Sequence, residues 1–197
     1  GGGAEKLYRE VERRQISPEM VVNNAGFGDL GAFAEIEPSR LTGMIELNCS
    51  SLALLTRSFL PEMIARGNGC ILNVSSVAAF QPGPFMATYY ATKAFVQSLS
   101  EALSEELQGT GVTVTSLAPG PTASGFQEEA RMDTAKYFSR GGIPTAREVA
   151  EFGYRAAIRG RRVAVPDLKY RLLLLVSRFL PRRLLVRLVR RLQENRV

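Results

Sequence analysis

The chain has 197 residues, 45% of them hydrophobic and 22% charged, which suits one globular domain with a substantial core. It contains no histidine, so serine or cysteine nucleophiles activated by imidazole are excluded, and zinc chemistry loses its commonest ligand. The net charge of +6 is concentrated after Leu168, where nine Lys/Arg face one Glu; the rest of the chain is slightly acidic, which argues against nucleic acid as a partner.

In chain order, Ala4 to Gln15 is predicted to form a helix with Leu7, Tyr8 and Val11 on one side, stopped by Ser17-Pro18. Met20-Val21-Val22 is a short buried strand, followed by the turn Asn23-Asn24-Ala25-Gly26-Phe27-Gly28. Pro38-Ser39 opens a helix that runs to about Arg66 and stops at Gly67-Asn68-Gly69. Its apolar stripe is interrupted by Asn48, a poor helix former, and Pro61 is expected to kink the helix or split it. Cys70 to Ser75 is an apolar strand that delivers Ser76 at its C-terminal end, and Cys70 reads as a small buried hydrophobe.

After the Gln81-Pro82-Gly83-Pro84 loop, a long helix is predicted from Ala87 to about Gln108, with Gly109 as its cap. Val112 to Leu117 is a further strand, closed by Pro119-Gly120. Gly125 to Gly142 is irregular, as a substrate-covering loop would be, and its Phe126, Tyr137 and Phe138 suit either an apolar ligand or a core. Thr145-Ala146-Arg147-Glu148 has capping-box form and opens a helix ending near Gly160, and Arg162 to Val165 is a last short strand. Helices alternating with strands imply a right-handed parallel α/β sheet over residues 1–168. Residues 169–197 form a basic tail in which Leu184, Leu185, Leu188 and Leu192 share one helical face, opposite most of the arginines. Such a helix can lie on an anionic bilayer as a peripheral contact, or its leucines can dock on the body of the protein. Its longest unbroken apolar run, Leu172 to Val176, is too short to span a membrane.

The chemistry converges on Ser76 to Lys93. Tyr89 and Lys93 are four residues apart and therefore share a helical face. A phenol ionises near pH ~10, and a neighbouring ammonium lowers that value toward neutrality. With a hydroxyl from Ser76 at the adjacent strand end, the set can move a proton to or from a carbonyl or alcohol oxygen.

This stretch resembles the active site of the classical short-chain dehydrogenases/reductases, in which a serine precedes a Tyr-x-x-x-Lys motif. That motif alone recurs by chance. Its weight comes from Asn23-Asn24-Ala25-Gly26, Asn48, Asn73-Val74-Ser75-Ser76 and Pro119-Gly120, which follow the family's order and spacing. The resemblance implies a three-layer Rossmann-like fold and hydride transfer between NAD(P) and a small carbonyl or alcohol substrate. It implies a catalytic set of Asn48, Ser76, Tyr89 and Lys93, with cofactor contacts from Asn23, Ala25, Gly26, Tyr89, Lys93, Pro119, Gly120 and Thr122 or Ser124. Against the family pattern, the chain shows no Gly-rich phosphate turn and reads as lacking the first strands. The alternative is a non-catalytic, family-like binding module acting through its basic C-terminal helix on a membrane or an acidic partner. The expected setting is cytoplasmic, since two cysteines make no disulfide framework, with membrane association through the tail. Full-length relatives are expected to be homo-oligomers packed through the two long helices, with Phe59, Phe95 and Leu103 as contact residues.

Overall fold

The computed structural model describes residues 2–132 and 142–194. Tyr137 and Phe138, two of the aromatic residues expected in the substrate-covering loop, lie outside them. The elements are α1 (Gly3–Arg13), β1 (Met20–Asn23), α2 (Pro38–Ile45), α3 (Leu52–Arg66), β2 (Gly69–Val74), α4 (Ala87–Glu106), β3 (Val112–Leu117), α5 (Phe126–Glu129), α6 (Ala146–Ile158), β4 (Val163–Ala164), α7 (Leu168–Ser177) and α8 (Arg182–Glu194). The strands form one four-stranded sheet in the order β1-β2-β3-β4, all neighbours parallel. Among the described residues β1 is therefore an edge, and its Val22 is 51% exposed.

Alternation along β2 separates two cores. Ile71, with Val112 and Val114 of β3, faces Phe59, Leu60 and Met63 of α3 and Leu107 beyond α4. Leu72 and Leu117 point the other way, onto Val149, Ala156 and Ala157 of α6. The helices thus lie on both faces of the sheet, as near-continuous apolar strands require. Helix α1 joins the first core through Tyr8, whose ring meets Phe59 edge-on at 5.2 Å. Phe59 is thereby a core residue, while Phe95 on α4 remains exposed and Leu103 is partly buried against the same core.

Two expectations about the long second helix change. Pro61 does not split it: α3 runs through Pro61 to a left-handed Gly67 cap (φ 67°). Pro61 is exposed, so the carbonyl it deprives of a partner can be hydrated. The irregularity falls instead at Glu46–Ser51, a π-helical segment between α2 and α3 that contains Asn48. Wider turns of this kind commonly mark functional positions. Cys70 is only partly buried, at the margin of the second core.

A ladder of buried amides ties the layers together. Asn23 Nδ2 donates to Thr56 Oγ1 (3.0 Å) and to Asn73 Oδ1 (2.8 Å), and Asn73 Nδ2 donates to Ser100 Oγ (2.9 Å). Parallel neighbours in register, Asn23 and Asn73 thus link β1, β2, α3 and α4. Asn73→Ala is expected to destabilise the chain by about 2 kcal/mol, since buried amide and hydroxyl groups lose their partner. Urea denaturation checks this, and a change below about 0.5 kcal/mol would show that the ladder is not stabilising.

Candidate active site

The carboxyl ends of β1, β2 and β3 open on a cavity of about 850 Å³. Brought together along its lining are Gly26, Ser76, Tyr89, Lys93, Pro119, Gly120, Thr122 and Ser124. Asn23, Ala25 and Asn48 are not part of that lining; Asn23 is committed to the amide ladder, and Asn24 reaches the cavity in its place.

Each group is held by a local device. Chain extension past β2, with Ser75 N donating to Leu117 O (2.7 Å), carries Ser76 to the cavity rim. Ser76 Oγ there accepts from Ala78 N (3.1 Å), capping the 3-10 turn Val77–Phe80, and lies 3.5 Å from Pro119 O. Helix α4 places Tyr89 and Lys93 one turn apart, with Lys93 Nζ 5.8 Å from the centre of the Tyr89 ring. The same ring meets Phe126 of α5 at 5.2 Å between centres. A Cβ on Gly28 would come within 3.2 Å of the same ring, so the turn after β1 must be bare there.

Lys93 is 6% exposed and donates to Val74 O at 2.8 Å, its one carboxyl-end anchor on β2. Burial lowers its pKa from the ordinary 10.5 to about 8, partly opposed by the nearby Cys49 thiol. Burial likewise pushes the Cys49 thiol up. Asn48, buried in its π-turn, grips the backbone of Phe27 from both sides. Its Oδ1 accepts from Phe27 N (3.1 Å), and its Nδ2 donates to Phe27 O (2.9 Å) and to Thr92 Oγ1 (3.1 Å). A Cβ on Gly26 would sit 2.9 Å from Asn48 Oδ1 and 3.6 Å from Lys93 Nζ, so Asn48 and Lys93 flank one glycine.

Several contributors come from outside the motif. Arg40 bonds Asp29 (3.0 Å), Glu129 (2.9 Å) and the carbonyls of Gly28 and Glu129, fastening the turn after β1 to α5. Gly120 carries the ring of Tyr170 from α7, which a Cβ would meet at 2.3 Å. Gln193 of α8 is buried, lines the cavity and donates to Tyr90 Oη at 2.8 Å. Its partner Tyr90 lies flat over Gly83, within 2.4 Å of where a Cβ would stand. Gln127 is buried in the same wall and donates to Thr122 O (2.6 Å). No periodicity links Gln193 to Tyr90 across 103 residues; only the fold brings them together.

Residues 3–135 match the family model for short chain dehydrogenases. The chain belongs to the short-chain dehydrogenase/reductase family. Among family members, it is 40% identical over 104 residues to an uncharacterized oxidoreductase, YvrD, of Bacillus subtilis, covering 53% of this chain and 40% of that one. It is 39% identical over 124 residues to a short chain dehydrogenase of Pseudocercospora fijiensis, covering 61% of this chain and 40% of the relative. A short-chain dehydrogenase from Sphingobium yanoikuyae, solved in complex with NADPH, superposes with a TM-score of 0.73 at 29% identity, over 85% of this chain and 63% of its own. The chain thus spans about two fifths of the length of these two sequence relatives. Members of this family are NAD(P)-dependent oxidoreductases.

The depressed pKa of Lys93 has a measurable consequence. Below pH 8 the ammonium is charged in both folded and unfolded chains, and its burial costs about 3 kcal/mol. Between pH 8 and 10.5 the unfolded chain keeps a proton that the folded chain has released, so stability rises with pH; above 10.5 the cost is gone. Relative to Lys93→Met, the wild type is therefore expected to gain roughly 3 kcal/mol between pH 7 and 10.5 by chemical denaturation. A difference that stays flat over this range would contradict the assignment.

Proposed function

We propose that this chain carries the proton-transfer half of an NAD(P)-dependent oxidoreductase acting on a small carbonyl or alcohol, with Tyr89 as general acid and base. The observation that carries the reading is one cavity lined by Ser76, Tyr89 and a buried Lys93 at the carboxyl edge of a parallel sheet. Ligands of open α/β sheets bind at that edge.

The cavity suits the nicotinamide and ribose end of such a cofactor. The bare backbone of Gly26 beside Lys93 leaves room for close approach, and Lys93 presents donors to a ribose hydroxyl. Pro119, Gly120 and either Thr122 or Ser124 would border the carboxamide. Thr122 Oγ1 already donates to Gly120 O (3.0 Å), and Ser124 Oγ accepts from Phe126 N (3.3 Å). When bound, the nicotinamide supplies or accepts the hydride.

The chain's own groups handle the proton. In the reductive direction Tyr89 Oη gives its proton to the carbonyl oxygen, and Ser76 Oγ donates a hydrogen bond to the same oxygen. The Lys93 ammonium, 5.8 Å from the ring centre, stabilises the phenolate left behind. Asn48 stays behind the cavity wall with its amide committed to Phe27 and Thr92, and its part is to hold the backbone beside Gly26 and Lys93. In the oxidative direction the same steps run backward. The apolar walls Leu72, Val74, Val149 and Phe126 exclude water and favour a substrate with an apolar body.

In a longer counterpart supplied with NADPH and a ketone substrate, Tyr89→Phe is expected to lower kcat by about 10²–10⁴-fold while leaving the melting temperature close to wild type. Turnover within threefold of wild type would remove Tyr89 from this role. The 197-residue chain itself is expected to bind NADPH more weakly than micromolar, because Lys93 is the one cation among the described residues of its cavity wall. Fluorescence titration decides that point, and a micromolar dissociation constant would contradict it.

A further inference from the structure

Helix α7 is anchored by one side only. Its Tyr170 ring lies on Gly120, and Arg171 donates to Val165 O (2.7 Å). On the opposite side, Leu168, Leu172, Leu175, Val176 and Phe179 recur at helical spacing and all stay open to solvent, Leu168 at 67% and Phe179 at 84%. Among the described residues nothing is packed on this apolar stripe. Lys169 flanks the stripe on one side, Arg171 and Arg178 on the other. Helix α8 repeats the arrangement. It docks through Val189 and Gln193, while Leu184, Leu188 and Leu192 remain exposed beside Arg183, Arg187 and Arg191. The leucine face read from the sequence is therefore wider than the surface that the body covers.

We propose that the α7–α8 segment is a docking surface for an anionic lipid bilayer, with Leu172, Val176 and Phe179 entering the headgroup boundary and the flanking cations meeting lipid phosphates. Charge selects this occupant. From Lys169 onward nine cations stand against one Glu, so a second copy meeting this face through its own would bring like charges together, whereas an anionic surface neutralises them. A stripe of large side chains flanked by Arg and Lys is also the composition that lies in a membrane interface. Among the described residues no helix is long and apolar enough to cross a membrane, so the contact is peripheral. Helix α8 also lends Gln193 to the cavity wall, so a docked bilayer would lie beside the substrate site.

The chain contains no tryptophan, so Phe179→Trp provides a single reporter. On adding vesicles of phosphatidylglycerol and phosphatidylcholine at low salt, its emission is expected to shift to the blue, and the chain is expected to sediment with the vesicles. Pure phosphatidylcholine vesicles should give neither signal, and raising the salt should weaken both. The triple variant Leu172→Ser, Val176→Ser, Phe179→Ser is expected to lose at least tenfold in vesicle partitioning. Its melting temperature should hold, because the three side chains contact solvent; Phe179→Ser alone provides a milder variant with the same expected direction. No blue shift with anionic vesicles would overturn the proposal. So would vesicle binding that the triple variant retains in full, which would mark a purely electrostatic contact. Concentration-dependent self-association of the wild type that the triple variant abolishes would assign the stripe to a second copy and overturn it equally.

Discussion

The site depends on keeping one ammonium out of water. Lys93 reaches the end of β2 with Val74 O as its hydrogen-bond acceptor, and among the described residues no carboxylate pairs with it. Burying a cation without a counter-ion is costly, and the Val74 carbonyl offsets part of the lost hydration. Val74 is free to accept because β2 stops there and the chain turns outward to Ser76. The same termination brings Ser76 to the cavity wall. One strand end therefore sets the position of two groups of the candidate site.

Close approach is the second constraint, and glycine meets it at four positions in and around the cavity. Gly26 lets Asn48 and Lys93 converge, Gly28 admits the Tyr89 and Phe126 rings, and Gly83 and Gly120 each receive a tyrosine ring. In all four cases the space that a Cβ would take is filled by a named side chain of the site or of its walls. Asn48 then fixes the Phe27 backbone in both directions, which requires its side chain to leave the helical register; the π-turn at Glu46–Ser51 is the backbone's accommodation.

Much of this was legible in the sequence, for reasons that are local. Apolar runs bounded by glycine located β2 and β3, the Thr145–Glu148 capping box opens α6 as its spacing requires, and Gly67 caps α3 in the left-handed region. Ser76, Tyr89 and Lys93 were recognisable because a strand end and a helical i,i+4 pair are short-range geometry. What stayed hidden is long-range. A π-turn has no period of its own, so the helix around Asn48 read as continuous. The Arg40 brace to Asp29 and Glu129, and the Gln193 bond to Tyr90, join segments that nothing in the sequence relates. The face of α8 that docks was likewise undetermined, because its apolar sector is broader than its contact, and tertiary packing selected Val189 and Gln193 over the leucines.

The account's central claim is that Lys93 carries its charge in a dehydrated corner of the site. Four lysines occur in the chain, so isotope-labelled lysine side chains give a sparse NMR spectrum, and Lys93→Met assigns the Lys93 signal. That signal is expected to titrate with a midpoint of about 8, in contrast to the ordinary 10.5. A Lys93 signal that titrates at the ordinary value would contradict it.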